Sequence, residues 1–518
     1  MNRRPKRASA RRPLPLFLAK SWSRRSTEWE SPPMAENLAH LAELVGGIVE
    51  GEETVTVSDA THDSRQAGPG TLFIAVTGFT SDGHNFVDAA ADSGSPALMV
   101  EHAVSVDRPQ IIVENSRRAM PTVAAEIHGN PSRRLQVIGV TGTNGKTTVT
   151  HMLEAIVEHS GRRSGLIGTI NTRIDGDEIP NVRTTPEATD LQRLLALMVE
   201  RDVDIVAAEV SSHALDLGRV DATRFAVAAF TNLSQDHLDF HGTIDEYFEC
   251  KKLLFDPKRS EQAVIWIDDP RGRELLETTN VAATTVSIAD TTADVWGHVV
   301  DRSMERTAFD IHIGGETARV NLPLGGDFNV ENALVAAAAV HVLGLGTAEI
   351  VDGLEALPQI PGRFEAISDD VPFSVIVDYA HSPNGIAAAI SFARAVTTGR
   401  VLALIGAGGD RDRLKRPAMG AATSEADLVY VTSDNPRTED PEAIIDAVAS
   451  GIPPEVTFYR ITDRRAAINE IISSAREGDT VLILGRGHER GQEIAGAVAP
   501  FDDRLVAREA VASRPGAR

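Results

Sequence analysis

A chain of 518 residues with 42% hydrophobic residues can build several cored domains, and three is the natural expectation. Its formal net charge of −23 argues against non-specific nucleic-acid binding, although a local basic pocket for an anionic substrate is compatible with it. One cysteine, Cys250, excludes a disulfide framework and a cysteine-based zinc site; no apolar run approaches the ~20 residues of a membrane span, so the cytosol is the natural compartment.

The first 33 residues carry nine Lys/Arg against two acids, Glu28 and Glu30, and are interrupted by prolines. They read as a disordered basic extension, with Met34 as an alternative start. Residues 35–45 form the first amphipathic helix pattern. Short strands then alternate with turn signals, at 54–57, 71–76, 97–101 and 110–113, making a small α/β unit over residues 34–134. Residues 131–134 read as a linker.

The segment Val137-Ile-Gly-Val-Thr-Gly-Thr-Asn-Gly-Lys-Thr-Thr148 opens as an apolar, β-branched strand and runs into a helical pattern at 149–157. Strand, glycine loop and helix in that order form a phosphate cradle. Backbone N–H groups of Gly142, Thr143, Asn144 and Gly145 can approach a polyphosphate, and the helix start, with Thr148, adds partial positive charge. Lys146 would reach the β- and γ-phosphates, and the Thr147 hydroxyl would bind Mg²⁺. Val140 stands where the full motif has a small first residue.

From 135 to 358 apolar strands alternate with helices, the pattern of a doubly wound parallel sheet. Runs at 204–210 and 225–231 read as buried strands, and 189–201 as an amphipathic helix. The first strand ends in Glu209 and is followed by Ser211-Ser-His213. The second ends in Thr231-Asn232 and leads to Asp236-His237-Leu-Asp239-Phe-His241. Ligands of open α/β sheets bind beyond the carboxyl ends of strands, so Glu209, Asp236 and His237 are expected to converge on the γ-phosphate side of the loop. A carboxylate there can hold Mg²⁺ directly or through water. Next, Thr243-Ile-Asp-Glu246 is a capping box that starts a helix carrying Tyr247 and Lys251. By itself, Lys251 reads as a solvated helix lysine.

Pro358-Gln-Ile-Pro-Gly362 breaks the chain, and βαβ alternation restarts with strands at 374–378, 400–405, 427–432 and 480–484. This is a third, Rossmann-like domain over 359–518, although Gly406-Ala-Gly-Gly-Asp410 lacks the order of a dinucleotide loop. Asn329 and Asn332 carry donors and an acceptor that suit an adenine edge. Arg363, just past the junction, suits a phosphate reached across a closing cleft. Gly409-Asp-Arg411, Asp434-Asn-Pro-Arg437 and Gly485-Arg-Gly-His-Glu489 each follow a predicted strand and should line one rim. Arginines beside acids suit a zwitterionic amino acid.

In this order the motifs, with Phe328-Asn-Val-Glu-Asn332, Pro361-Gly-Arg363 and Asp378-Tyr-Ala-His381, resemble those of the Mur ligases, ATP-dependent amide-bond ligases of peptidoglycan synthesis. The resemblance runs from about Met34 to the C-terminus and is greatest to members that add the third peptide residue to UDP-N-acetylmuramoyl-L-alanyl-D-glutamate. It implies a UDP-substrate domain (34–134), an ATP-binding domain (135–358) and an amino-acid-binding domain (359–518). It also implies a cytoplasmic monomer using ATP and Mg²⁺, with no nucleic-acid partner and no membrane span. Residue by residue, it implies that Ser64 of Asp63-Ser-Arg65 touches the nucleotide sugar and that Thr184, Thr185, Ser211 and Arg219 hold the muramoyl dipeptide; Leu217 stands where many members have glutamine. Asn329, Asn332, Arg363, Asp378 and His381 fall on the ATP side. Lys251 matches a lysine that the family carbamylates; as N6-carboxylysine it would hold a second Mg²⁺ with Glu209 and His237.

The run Asp434, Asn435, Pro436, Arg437 resembles the signature of members that take meso-diaminopimelate, whose extra carboxylate Arg437 could engage. Arg411, Gly485 and Glu489 match the other amino-acid contacts, and Arg486 replaces a commoner lysine. The implied reaction is attack of the D-glutamate carboxylate on the γ-phosphorus, then attack of the amine on the acyl phosphate. The alternatives are the same ligase with L-lysine, a folylpolyglutamate synthase, a nucleotide-binding switch without ligase chemistry, and a nucleic-acid binder acting through the basic tail.

Overall fold

The computed structural model describes residues 35–78, 81–179, 183–367 and 371–514. The basic extension expected over 1–33 lies outside them. Three large sheets follow one another along the chain.

The first sheet runs in the order Ile48–Glu50, Gln110–Ile112, Ala97–Val100, Thr71–Ile74, Asp59–Thr61, with the last four parallel. Helices Leu38–Val45 and Ser116–Ile127 close its core. The first helix starts three residues later than its pattern suggests. Glu36 and Asn37 pair with Val57 and Thr56 as a short strand, and the Asn37 side chain caps the helix at His40 N.

In the central sheet, Gln136–Thr141 lies between Ile205–Glu209 and Phe225–Phe230, all parallel. Parallel pairing continues to Ser164–Ile167 on one side and through Ser260–Trp266, Ala282–Ser287 and Val295–Arg302 on the other. Both edges turn antiparallel, which the parallel reading did not include. The turns Asp175-Gly176 (φ 49° and 83°) and Gly314-Gly315 (φ 61° and 80°) have two successive positive φ values, the tight geometry that returns a strand on itself. Along the middle strand, Ile138 and Val140 face one core and Val137 the other. Helix Lys146–His159 fills the first core with Val149, Met152 and Ile156, against helices Asp327–Val342 and Thr347–Glu355. Residues 142–146 therefore turn at the carboxyl edge of the sheet's centre.

The third sheet runs Glu365–Ala366, Ser374–Asp378, Thr480–Leu484, Val401–Ile405, Leu428–Val431, Thr457–Arg460, parallel except for its first strand. Behind it, Arg464 donates to both oxygens of Asp503 at 2.8 and 2.6 Å, and both side chains are 0% exposed. Arg464 also donates to Leu484 O at 3.0 Å, tying helices Arg464–Ser474 and Asp503–Ala512 to a strand that leads into the site. Arg464→Met leaves the buried Asp503 carboxylate with Arg486 Nε at 3.8 Å in place of its bidentate partner and is expected to cost about 3 kcal/mol. Urea unfolding measures this, and a loss below about 1 kcal/mol would remove the pair from the stabilising contacts. Among the described residues, no helix is long and apolar enough to cross a membrane.

Candidate active site

The glycine loop is shaped by its neighbours. A Cβ on Gly142 (φ 150°) would lie 1.9 Å from Thr231 Oγ1, and one on Gly145 (φ 87°) 2.2 Å from Asn332 Oδ1, so neither position admits a side chain. Lys146 Nζ folds back onto Gly142 O and Thr143 O at 2.8 and 2.9 Å. Lys251 Nζ donates to the same Gly142 O at 2.9 Å and lies 4.4 Å from the centre of the Tyr247 ring. Its side chain is not solvated: Lys251 is 1% exposed. Helix Ile244–Lys252 turns Tyr247, Phe248, Cys250 and Lys251 inward together, after the capping box of Thr243 and Glu246 has set its start. Burial and the Lys146 ammonium push the Lys251 amine well below its ordinary value.

Beside the loop, Glu209 Oε1 accepts from Thr169 N at 2.7 Å and Oε2 from Thr169 Oγ1 at 2.9 Å. Thr184 Oγ1 lies 3.0 Å from Thr169 Oγ1 and can donate to it. Thr185 Oγ1 donates to Glu209 O at 2.8 Å and lies 3.3 Å from Ser211 Oγ. Arg219 Nη1 donates to Thr185 O at 3.3 Å, and its Nη2 pairs with Glu187 at 2.9 Å. Thr184, Thr185, Ser211 and Arg219 thus form one network with Glu209. Ser64 stands apart in the N-terminal unit, in the short turn Ser64–Gln66, where Asp63 caps Arg65 N. That unit meets the central one through His62 Nδ1 and Thr189 Oγ1, 2.9 Å apart.

Asp236, like Glu209, lies close enough to Lys146 on the phosphate side of the loop to favour the lysine's charged form. It is 5% exposed and accepts from Lys415 Nζ at 3.1 Å, with His381 Nε2 and His237 Nε2 each at 3.6 Å. Burial alone would raise this carboxyl, but His381, His237 and Lys415 hold it well below the usual range. Partial burial, with Lys146 and Lys251 nearby, lowers the His237 imidazole so that it is neutral at pH 7. Among the described residues, no three His, Cys, Asp or Glu side chains gather closely enough to hold a metal. Glu209 is turned to Thr169, and Asp236 to the C-terminal unit. Glu209 and Thr147 remain hard oxygen donors that fit Mg²⁺ once polyphosphate oxygens complete the set, with neutral His237 beside them as a borderline nitrogen donor.

Across the cleft, Arg363 Nη2 donates to Thr147 Oγ1 at 2.9 Å, and its guanidinium lies 4.5 Å from the centre of the Tyr379 ring. Asp378 holds this hinge: its two oxygens accept from Phe364 N at 2.7 Å and Ala380 N at 2.8 Å. His381 Nδ1 bonds to Tyr379 O at 2.9 Å. Asn329 and Asn332 are buried behind the loop, joined by Asn332 Nδ2 donating to Asn329 Oδ1 at 3.2 Å.

On the rim, Arg437 Nη1 donates to Gly409 O, and its Nε lies 3.7 Å from Glu493. Asn435 Nδ2 donates to Glu489 Oε2 at 2.8 Å. A Cβ on Gly485 would meet Asp434 Oδ2 at 2.9 Å, and one on Gly409 would strike Pro436 O. Arg411 is exposed beside them. Underneath, Arg486, with a side chain 0% exposed, donates to Asn435 Oδ1 at 3.1 Å and to Gly491 O at 2.6 Å. The three loops therefore do meet on one rim.

Three family models match in sequence: the "Mur ligase family, catalytic domain" over residues 56–141, the "Mur ligase middle domain" over 140–340 and the "Mur ligase, glutamate ligase domain" over 362–487. The UDP-N-acetylmuramoyl-L-alanyl-D-glutamate–2,6-diaminopimelate ligase of Streptomyces coelicolor is 42% identical over 93% of this chain and 97% of its own. The chain belongs to the Mur ligase family. The protein of the same name from Geobacillus thermodenitrificans is 44% identical over 87% of this chain and 94% of its own. A solved ligase of that name is 31% identical and superposes with a TM-score of 0.65, covering 93% of this chain and 99% of its own. The fold is shared more widely, with a folylpolyglutamate synthase of Mycobacterium tuberculosis at a TM-score of 0.58 and 22% identity, covering 70% of this chain and 91% of its own.

This Mur ligase holds His237, Phe364, Asp410 and Arg437 at positive φ (55°, 46°, 51° and 53°), in the loops around its cleft. Such residues are costly and tend to sit at functional sites. Two residues escaped the sequence reading. Lys415 lies in a basic run, Arg411-Asp-Arg-Leu-Lys-Arg416, with no pattern to mark it. Arg486 showed only as a charge-conserving replacement, not as the buried clamp under Asn435.

The helix behind the loop also carries a pH dependence. His151 is 4% exposed, with Nδ1 at 2.8 Å from Thr147 O, and burial pushes it down to about 3. Its folded value lies below its unfolded one, so the unfolded chain takes up the proton first as pH falls below 6.5. Stability is expected to fall between pH 6.5 and 3, by up to about 1.4 kcal/mol per unit from this residue. Urea midpoints at pH 7 and pH 5 test this. His151→Gln should reduce the difference in part, since burial lowers His213, His237 and His488 too, and an unchanged difference would assign it to those groups.

Proposed function

We propose that this chain is an ATP-dependent acid–amino-acid ligase that joins meso-diaminopimelate to UDP-N-acetylmuramoyl-L-alanyl-D-glutamate in peptidoglycan synthesis. The observation that carries the acceptor assignment is the rim on which Arg437, Asn435 and Glu489 meet. A guanidinium there can fork onto the distal carboxylate of diaminopimelate, and Glu489 and Asp434 suit its ammonium groups. L-Lysine lacks that carboxylate and would leave Arg437 without its partner.

The substrate carboxylate attacks the γ-phosphorus, ADP leaves, and an acyl phosphate forms. The acceptor amine then attacks the acyl carbon, phosphate leaves, and the amine loses its proton. Lys146 turns from Gly142 O and Thr143 O toward the phosphates, and Arg363 reaches them from the hinge. Asn332 keeps Gly145 in register. Thr184, Thr185, Ser211 and Arg219 hold the donor carboxylate's peptide near Glu209. Mg²⁺, held by Thr147, Glu209, His237 and a carbamylated Lys251, would offset charge on the phosphates. No side chain acts as a covalent nucleophile; the residues position and neutralise.

Product mass with ATP, Mg²⁺ and the UDP-dipeptide, in the presence of meso-diaminopimelate or of L-lysine, tests the reading. Diaminopimelate is expected to be preferred by more than about 100-fold in kcat/KM, and Arg437→Ala to erase most of that preference. Equal use of lysine discards the acceptor assignment, and no product with either discards the ligase reading.

A further inference from the structure

The buried pair of Asp236 and Lys415 joins two units at a point the mechanism does not use. Asp236 sits after the central strand Phe225–Phe230, next to His237 and on the phosphate side of the cleft. Lys415 opens helix Lys415–Ala421 of the C-terminal unit, four residues after Arg411. Their side chains are 7% and 10% exposed and meet at 3.1 Å. His381, from a second C-terminal loop, faces the same carboxylate at 3.6 Å. The loop leading to Lys415 is anchored to the rim by its neighbours. Arg416 donates to Gly408 O at 3.2 Å and to Glu439 at 2.8 and 3.0 Å. Glu439 in turn accepts from Asp410 N. A buried ion pair is weak evidence for net stability, because desolvation offsets its attraction. It is a strong registry device, because either charge left alone in the closed cleft is unfavourable.

We propose that Lys415 is a positioning residue whose pairing with Asp236 latches the acceptor loop onto the phosphate side of the cleft, so that acceptor binding and closure are coupled. This rests on the ligase reading for its effect on turnover, but not for its effect on closure. Opening the cleft separates Lys415 from Asp236, and seating the amino acid against Arg411 and Arg437 brings them together. The latch sets the height at which the acceptor amine meets the acyl carbon, where a shift of about 1 Å costs roughly 100-fold.

The test uses the whole chain as Lys415→Met and Lys415→Arg. Small-angle X-ray scattering with ATP and Mg²⁺, without and with meso-diaminopimelate, reads closure and its coupling to the acceptor without depending on turnover. Lys415→Met should stay more extended than wild type, and Lys415→Arg should close. In turnover, Lys415→Met should lose roughly 100-fold in kcat/KM for diaminopimelate, with KM for ATP within about twofold. Lys415→Arg should recover to within about fivefold. Identical scattering of Lys415→Met and wild type, or a loss confined to KM for ATP, overturns the latch. If wild type makes no amide while Lys415→Met still fails to close, the ligase reading falls and the latch stands. Wild-type nucleotide affinity in Lys415→Met shows that the variant is folded, and if it is not, Lys415→Arg carries the test: failure of that variant to close also overturns the latch.

Discussion

Lys251→Ala is expected to lose amide formation by roughly 100- to 1,000-fold, while Lys251→Glu keeps a measurable part of it. The lysine is buried, shares the Gly142 carbonyl with Lys146, and is pushed toward its neutral amine by burial and by that second cation. A neutral amine can attack carbon dioxide; an N–C bond forms and a proton leaves, giving a carbamate anion. A neutral amine beside the Lys146 ammonium then becomes an anion beside it, which adds an attraction. Glutamate restores an anion at a shorter reach, and alanine restores nothing. Product formation by the three proteins decides this, with intact mass checking for one added carbon dioxide. Equal activity of Lys251→Ala and wild type would sink the assignment.

Lys146→Met should lose turnover by about 1,000-fold or more and still bind ADP. The backbone N–H groups of the loop and the Asn329–Asn332 pair are untouched by the change, so the proposed nucleotide cradle is kept. What is lost is the ammonium now held by Gly142 O and Thr143 O, the cation that the proposed mechanism turns toward the γ-phosphate. Phosphate release measured beside ADP affinity separates the two effects. Turnover above a tenth of wild type would remove Lys146 from the catalytic centre.

The reading of Lys251 shows where local pattern stops. A lysine on a nine-residue amphipathic helix is ordinarily solvated, and only the resemblance marked it as special. Its burial depends on helix Ile244–Lys252 being laid against the glycine loop, a contact between segments more than a hundred residues apart. Asp236 teaches the same lesson in reverse. Its place after an apolar strand suggested a seat beside Glu209 on the phosphate side, and both carboxylates do act on Lys146, but the partner each one takes, Thr169 or Lys415, was not legible. Strand ends were legible because buried parallel strands are continuous apolar runs; the direction of a side chain beyond the strand end was not.

The sequence alone determined the βαβ alternation around the strands it named, the glycine loop at Gly142–Thr147 and the three strand-end motifs of the rim. These are local consequences of periodicity, β-branching and glycine placement, each confined to a short window. The antiparallel edges of the central sheet, the buried clamp of Arg486 and the crossings of Arg363 to Thr147 and Lys415 to Asp236 were decided by tertiary structure. They join residues up to 216 positions apart, through charges whose worth depends on burial and on which partner the fold brings within hydrogen-bond reach.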